Sequence, residues 1–159
     1  MWNFLGIYSK NREEWAIADI ACMKSSTTIV PFYDSLGMDA LSLVINQTEL
    51  ITMCIEKSQI DNLLNVKQTK SPTLKNLIIF DEIEESEKEK GRAHGVTIYN
   101  FKDILKAGEE HHHIVLKEPQ PETIYMFCYT SGTTGDAKGA KITHEGFVAD
   151  MYFYENAGI

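Results

Sequence analysis

An α/β architecture, a parallel sheet with crossover helices, is what this sequence predicts, and two observations carry the prediction. Short apolar runs rich in β-branched and aromatic residues alternate with stretches whose apolar residues recur at helical spacing. Strand and helix alternating in this way mean parallel strands, each joined to the next by a helix that crosses the sheet. The scale fits: 159 residues, 43% of them apolar and 24% charged, are enough for one ordinary globular domain burying roughly two-thirds of its unfolded surface.

The elements follow in order. Phe4 to Tyr8 reads as a short strand that begins almost at residue 1, with no cap or turn before it. Asn11 is placed to cap the next helix, with Glu13 and Glu14 in the first turn, where the helix dipole favours negative charge. Trp15, Ala18 and Cys22, with Ile17 and Ala21 beside them, make a broad apolar stripe expected to be core. Thr27 to Phe32 is a buried strand with Pro31 near its end, where a missing donor does least harm. Met38, Leu41, Val44 and Ile45 mark a second helix, Leu50 to Ile55 a third strand, Ile60, Leu63 and Leu64 a third helix, and Leu77 to Phe80 a fourth strand. The charge run from Glu82 to Lys90, with only Ile83 apolar, reads as a solvated helix or loop. Val96 to Tyr99 is an edge strand, and Phe101, Ile104 and Leu105 form one more amphipathic helix.

Several features carry no chemistry. His111, His112 and His113 are adjacent, and three consecutive side chains cannot all face one ion in regular structure, so a surface loop is expected. Cys22, Cys54 and Cys128 each lie in an apolar segment and read as small buried thiols. The net charge of −8 argues against a general affinity for nucleic acid or anionic membrane, which needs a basic face. No apolar run is long enough to cross a bilayer, and the first residues have neither the basic flank nor the apolar core of a signal peptide.

Chemistry concentrates near the end. A strand-like run, Ile124 to Cys128, leads into Tyr129, Thr130, Ser131, Gly132, Thr133, Thr134, Gly135, Asp136, Ala137, Lys138 and Gly139, and a second β-like run, Ala140 to Thr143, leaves it. Glycines leave backbone N–H groups sterically open, Ser and Thr hydroxyls donate to anionic oxygens, and Lys138 adds a point charge. This is phosphate-holding chemistry, and the candidate residues are Thr130, Ser131, Gly132, Thr133, Thr134, Gly135 and Lys138. A Walker A loop is excluded, because Lys138 stands between Ala137 and Gly139 and the chain goes on as a strand rather than opening a helix. After it, His144 to Asn156 reads as a helix packed under the loop; His144 caps it, stacks near a nucleotide or fills space, with a structural role favoured.

The run from Tyr129 to Gly139, followed by Lys141 to His144, resembles the phosphate-binding signature of the adenylate-forming superfamily, which comprises acyl-CoA synthetases, luciferases and peptide-synthetase adenylation domains. Gly6 to Trp15 is similar to a G-I-x-x-x-N-R-x-E-W segment, and Ile29 to Gly37 to a V-P-L-Y-D-T-L-G segment, of the long-chain fatty acid–CoA ligase branch. Ala137 departs from the proline usual in that loop. The resemblance implies a partial N-terminal adenylation domain over 1–159, in which the loop holds the β- and γ-phosphates of ATP. It implies that Thr133 contributes to a Mg2+ site, that CoA is a co-substrate of the full enzyme, and that the acyl, adenine and CoA sites and the C-terminal domain come later. A fragment inactive on its own is therefore expected, with no catalytic residue assigned. By the same analogy the full enzyme acts on small molecules at the cytosolic side of endoplasmic reticulum, peroxisomal or mitochondrial outer membranes. Two alternatives stand beside it: an adenylate-forming enzyme for another acyl, aryl or amino acid, and a truncated, non-catalytic interaction module.

Overall fold

The computed structural model describes residues 3–34, 36–131 and 137–157. Seven strands form one sheet: β1 (Phe4–Tyr8), β2 (Thr28–Phe32), β3 (Thr52–Ile55), β4 (Asn76–Ile79), β5 (Thr97–Asn100), β6 (Ile124–Ser131) and β7 (Ala137–Thr143), in the spatial order β5-β4-β3-β1-β2-β6-β7. All neighbours are parallel except β6 and β7, which pair antiparallel as a hairpin. Between them run α1 (Glu13–Lys24), α2 (Met38–Thr48), α3 (Ile60–Thr69), α4 (Glu85–Ala93) and α5 (Phe101–Glu110), and α6 (His144–Ala157) follows β7. The α/β reading of the sequence holds, with β7 as the one antiparallel exception.

Both faces of the sheet are covered, which is why the central strands read as continuous apolar runs. On one face Leu41, Val44 and Ile45 of α2 and Leu63, Leu64 and Val66 of α3 bury Val30, Met53, Leu77 and Ile98. On the other, Ala18 and Cys22 of α1 and Phe101 of α5 pack with Ile7, Ile29, Cys54 and Phe80. Tyr125 completes this second face. It is 2% exposed, its hydroxyl donates to Asp19 Oδ1 at 2.6 Å, and its ring meets Phe147 (4.7 Å between centroids) and His144 (5.6 Å) of α6.

Three local expectations needed correction, and the charge run takes the helical one of the two forms expected for it. The residue before α1 is Arg12, not Asn11, and no side chain caps that end, because a guanidinium has no acceptor to offer the first-turn amides. The charge run folds as a true helix closed by a capping box between Glu84 and Glu87, and it docks through Gly91. A Cβ on Gly91 would stand 2.6 Å from Ile98 Cγ1 and 2.8 Å from the Val96 carbonyl oxygen, so only glycine lets α4 lie against β5 this closely. Ile104 and Leu105 of α5 are exposed, leaving Phe101 as its buried anchor. None of the residues of α6 is buried; Val148, Met151, Tyr152, Phe153 and Tyr154 all face solvent, and the helix rests on the sheet through His144 and Phe147. The three histidines lie in the exposed turn after α5, as expected.

Candidate functional site

The β6–β7 hairpin exists because two apolar, β-prone runs flank a loop whose glycines and hydroxyl residues favour a reversal. Its ladder pairs Cys128 with Ala140, Tyr129 with Gly139, Thr130 with Lys138 and Ser131 with Ala137. Thr130 and Lys138 thus stand directly opposite each other, both exposed, at the end of the hairpin that bears the loop. Gly132, Thr133, Thr134 and Gly135 lie outside the described residues, and of Ser131 only the backbone position in β6 is described. Tyr129 fixes the hairpin one pair before Thr130 and Lys138. Its ring lies over Gly139, where a Cβ would meet ring carbons at 3.2 to 3.4 Å, and its hydroxyl donates to Gln47 Oε1 of α2 at 3.1 Å.

Beside the hairpin, a cleft of about 520 Å3 opens at the carboxyl ends of β1, β2 and β6. In an open α/β sheet ligands sit beyond the carboxyl ends of the strands. The strand order reverses between β1 and β3, one strand away from the β1, β2 and β6 ends that wall this cleft. Ser9, Lys10, Asn11 and Trp15 follow β1, Pro31, Phe32, Tyr33 and Asp34 close or follow β2, and Cys128 and Tyr129 belong to β6. The mixture of aromatic walls and a few polar groups suits a small molecule with one apolar and one charged part.

Trp15 is therefore not simply core: Ala18 and Cys22 of its helical stripe are buried, whereas Trp15 is half-buried and lines the cleft. Cys128 also departs from the reading as a buried thiol. Cys22 and Cys54 are buried and burial pushes both thiols up to about 12, while Cys128 is half-buried and faces the cleft. His144 fills space, as favoured from the sequence. Its ring sits on Tyr125, its Nε2 is buried without a partner, and burial holds the imidazole below its ordinary value. The residue that caps α6 is Thr143, whose hydroxyl accepts from the Gly146 amide at 3.0 Å. Among the described residues no group of three or more His, Cys, Asp or Glu could hold a metal ion, and no helix is long and apolar enough to cross a membrane.

A mostly parallel seven-stranded sheet with helices on both faces is the architecture of adenylate-forming enzyme domains. The adenylation domain of a carboxylate reductase from Mycobacterium chelonae superposes on 91% of this chain with a TM-score of 0.79 at 18% identity, the match covering 24% of that domain's chain. The chain belongs to the AMP-binding enzyme family, whose model matches residues 3–158. It is 40% identical over 150 residues to human long-chain-fatty-acid–CoA ligase 6, a match that covers 93% of this chain and 21% of the ligase. Against the peroxisomal long chain acyl-CoA synthetase 7 of Arabidopsis thaliana it is 34% identical over 148 residues, covering 92% of this chain and 21% of that protein. The chain thus spans about a fifth of the length of these relatives.

None of the residues lining the cleft was singled out as a site from the sequence. A signal was nevertheless present. The three stretches that carry the family resemblance, 6–15, 29–37 and 129–139, are the ones that meet at this cleft and at the hairpin beside it.

Proposed function

We propose that this chain is the phosphate-holding part of the N-terminal domain of a long-chain fatty acid–CoA ligase. The observation that carries the reading is the convergence, at one cleft beside the Thr130–Lys138 pair, of three stretches far apart in sequence. In such an enzyme a fatty acid carboxylate oxygen attacks the α-phosphorus of ATP, the bond to the bridging oxygen breaks, and pyrophosphate leaves. The thiol of CoA then displaces AMP from the acyl carbon. Charge builds on the departing β- and γ-phosphates, and fixed donors aimed at them lower the barrier by electrostatic preorganisation.

Thr130, Ser131, Gly132, Thr133, Thr134, Gly135 and Lys138 are the residues assigned to that task. Lys138 supplies the cation and Thr130 a hydroxyl from the facing strand, a pairing that suits an anionic ligand at the hairpin's end. Mg2+ accompanying the nucleotide would take Thr133 as a protein ligand and its remaining oxygens from phosphate and water, neutralising charge on the phosphates. Pyrophosphate binding by this chain alone is weak, because one side of the site is all it offers. The bare aromatic row on α6 supports a partial domain, since a lone folded unit rarely leaves so many large apolar side chains uncovered on one helix.

Three measurements on the purified chain test the proposal. Incubation with ATP, palmitate and CoA yields no acyl-CoA above blank, and turnover would refute the assignment as an incomplete domain. Titration with pyrophosphate gives weak binding that Lys138→Ala and Thr133→Ala each reduce; binding indifferent to both changes would refute the residue roles. Alkylation of native protein modifies Cys128 and spares Cys22 and Cys54, and ATP or coenzyme A slows it. Equal reaction of all three thiols would remove the cleft from the argument.

A further inference from the structure

The stretch from Asn11 to Trp15 divides into two sets of side chains. Asn11 and Trp15, with Ser9 and Lys10, face the cleft. Arg12 and Glu14 point the other way. Arg12 Nε and Nη2 donate to the two carboxylate oxygens of Glu14 at 2.7 and 3.0 Å, and Nη1 donates to Asp81 Oδ1 at 2.8 Å. The guanidinium also lies 5.3 Å from the centre of the Phe80 ring. Asp81 stands just beyond β4, and its other oxygen accepts from the Lys57 amide at 2.7 Å, while the Asn100 side chain donates to its carbonyl at 3.0 Å. A separate strap joins the Lys10 amide to Glu56 Oε1 at 2.8 Å. Arg12 therefore ties the turn after β1 to Asp81, Asp81 in turn holds the turn after β3 and the end of β5, and the strap holds Lys10, two residues before Arg12.

We infer that Arg12 is a positioning residue for the cleft: by gripping Glu14 and Asp81 it fixes the turn after β1 and so sets where Lys10, Asn11 and Trp15 stand along the cleft wall. The inference deepens the proposed function and rests on the cleft being a ligand site. The geometry asks for arginine in particular, because a planar fork reaches two carboxylates and an aromatic face at once, whereas an ammonium meets one of them as a point charge. Burial alone would raise the Asp81 carboxyl, but the Lys57 amide and the Arg12 guanidinium overcome it and hold the group below its ordinary value. At 25% and 37% exposure of the two side chains, the pair is shielded more than a surface ion pair is.

The test uses Arg12→Lys, Asp81→Asn and the double variant, with Ile98→Val as a control that thins the core at the far edge strand. Two readouts are taken on each: amide exchange at Lys10, and the concentration of ATP or coenzyme A that halves the rate of Cys128 alkylation. The Lys10 amide touches neither Arg12 nor Asp81, so its exchange reports the turn rather than the lost bond. Each single variant should speed it about tenfold, the scale of losing one charge-assisted hydrogen bond, and the double no further than the worse single. The half-protecting concentration should rise about fivefold in step, while the control lowers the melting midpoint and moves neither readout. Unchanged Lys10 exchange, additive singles, or unchanged protection would overturn the positioning role. Absence of protection in the unsubstituted chain would instead overturn the reading of the cleft as a ligand site, and the role of Arg12 with it.

Discussion

Tyr125→Phe isolates the contribution of one hydroxyl at the junction of three elements. The ring would stay against Phe147 and His144, and only the 2.6 Å bond to Asp19 would be lost. A hydrogen bond to a charged acceptor contributes about 1.5–3 kcal/mol, and because Asp19 is half-buried, water repays part of the loss, leaving about 2 kcal/mol at neutral pH. For a domain of this size that is a fall of roughly 4–8 °C in the melting midpoint. The pH dependence tests the cause. Burial raises the Asp19 carboxyl above its ordinary 3.8, and the Tyr125 hydroxyl pulls it partly back, so without the hydroxyl it rises further. A carboxyl raised in the folded state costs stability while it is ionised, and the cost fades as pH falls through its folded pKa toward the unfolded value. The deficit of the variant should therefore be largest at pH 7 and shrink toward pH 4 in parallel urea titrations. A loss under about 0.5 kcal/mol, the scatter of neutral surface changes, or one independent of pH, would refute the role given to this bond.

Two further outcomes follow from the same geometry. Gly91→Ala gains about 1 kcal/mol of helix propensity but drives a methyl toward a backbone carbonyl that cannot yield, at about 1–3 kcal/mol, so the melting midpoint should fall; Gly108→Ala, on exposed α5 with nothing within 4 Å, should raise it. The imidazole of His144 should titrate below its ordinary 6.5 in an NMR pH series, and the stability it contributes, present above that value, should be lost as pH falls below it, because the unfolded chain takes up the proton more readily; a normal or raised value would contradict the buried Nε2.

The sheet was legible in the sequence because burial on both faces leaves strands as unbroken apolar runs, and Ile29, Val30, Met53 and Leu77 keep to that pattern. Ends were less so. A helix cap is one residue, and Asn11 was expected there for its side-chain acceptor, whereas the helix starts one residue later behind Arg12, which has none. The docking of α4 left no apolar signal at all, since Gly91 packs by having no side chain. In α6 the aromatic residues suggested a helix packed beneath the loop, yet Phe147 and His144 alone meet Tyr125, because periodicity reports which residues share a face and not whether anything covers it. That Thr130 and Lys138 stand on two strands flanking a turn-prone run was legible from composition, and the structure pairs them. The cleft was not, since its walls come from three remote stretches whose mixed aromatic and polar residues follow no period.

The seam between β2 and β6 separates two histories within one sheet. Thr28 bonds Ile124 across 96 residues of chain, whereas β6 ends at Ser131 and β7 begins at Ala137. Closing the long connection is entropically dear and closing the short one is cheap, so the hairpin can assemble alone and arrive as a finished strip. During synthesis the five strands from β5 to β2 can zip together before residue 124 leaves the ribosome, and what they present is a raw β2 border awaiting its neighbour. Joining that border to the strip that carries Lys138 completes the sheet, and it is the longest-range strand pairing among the described residues.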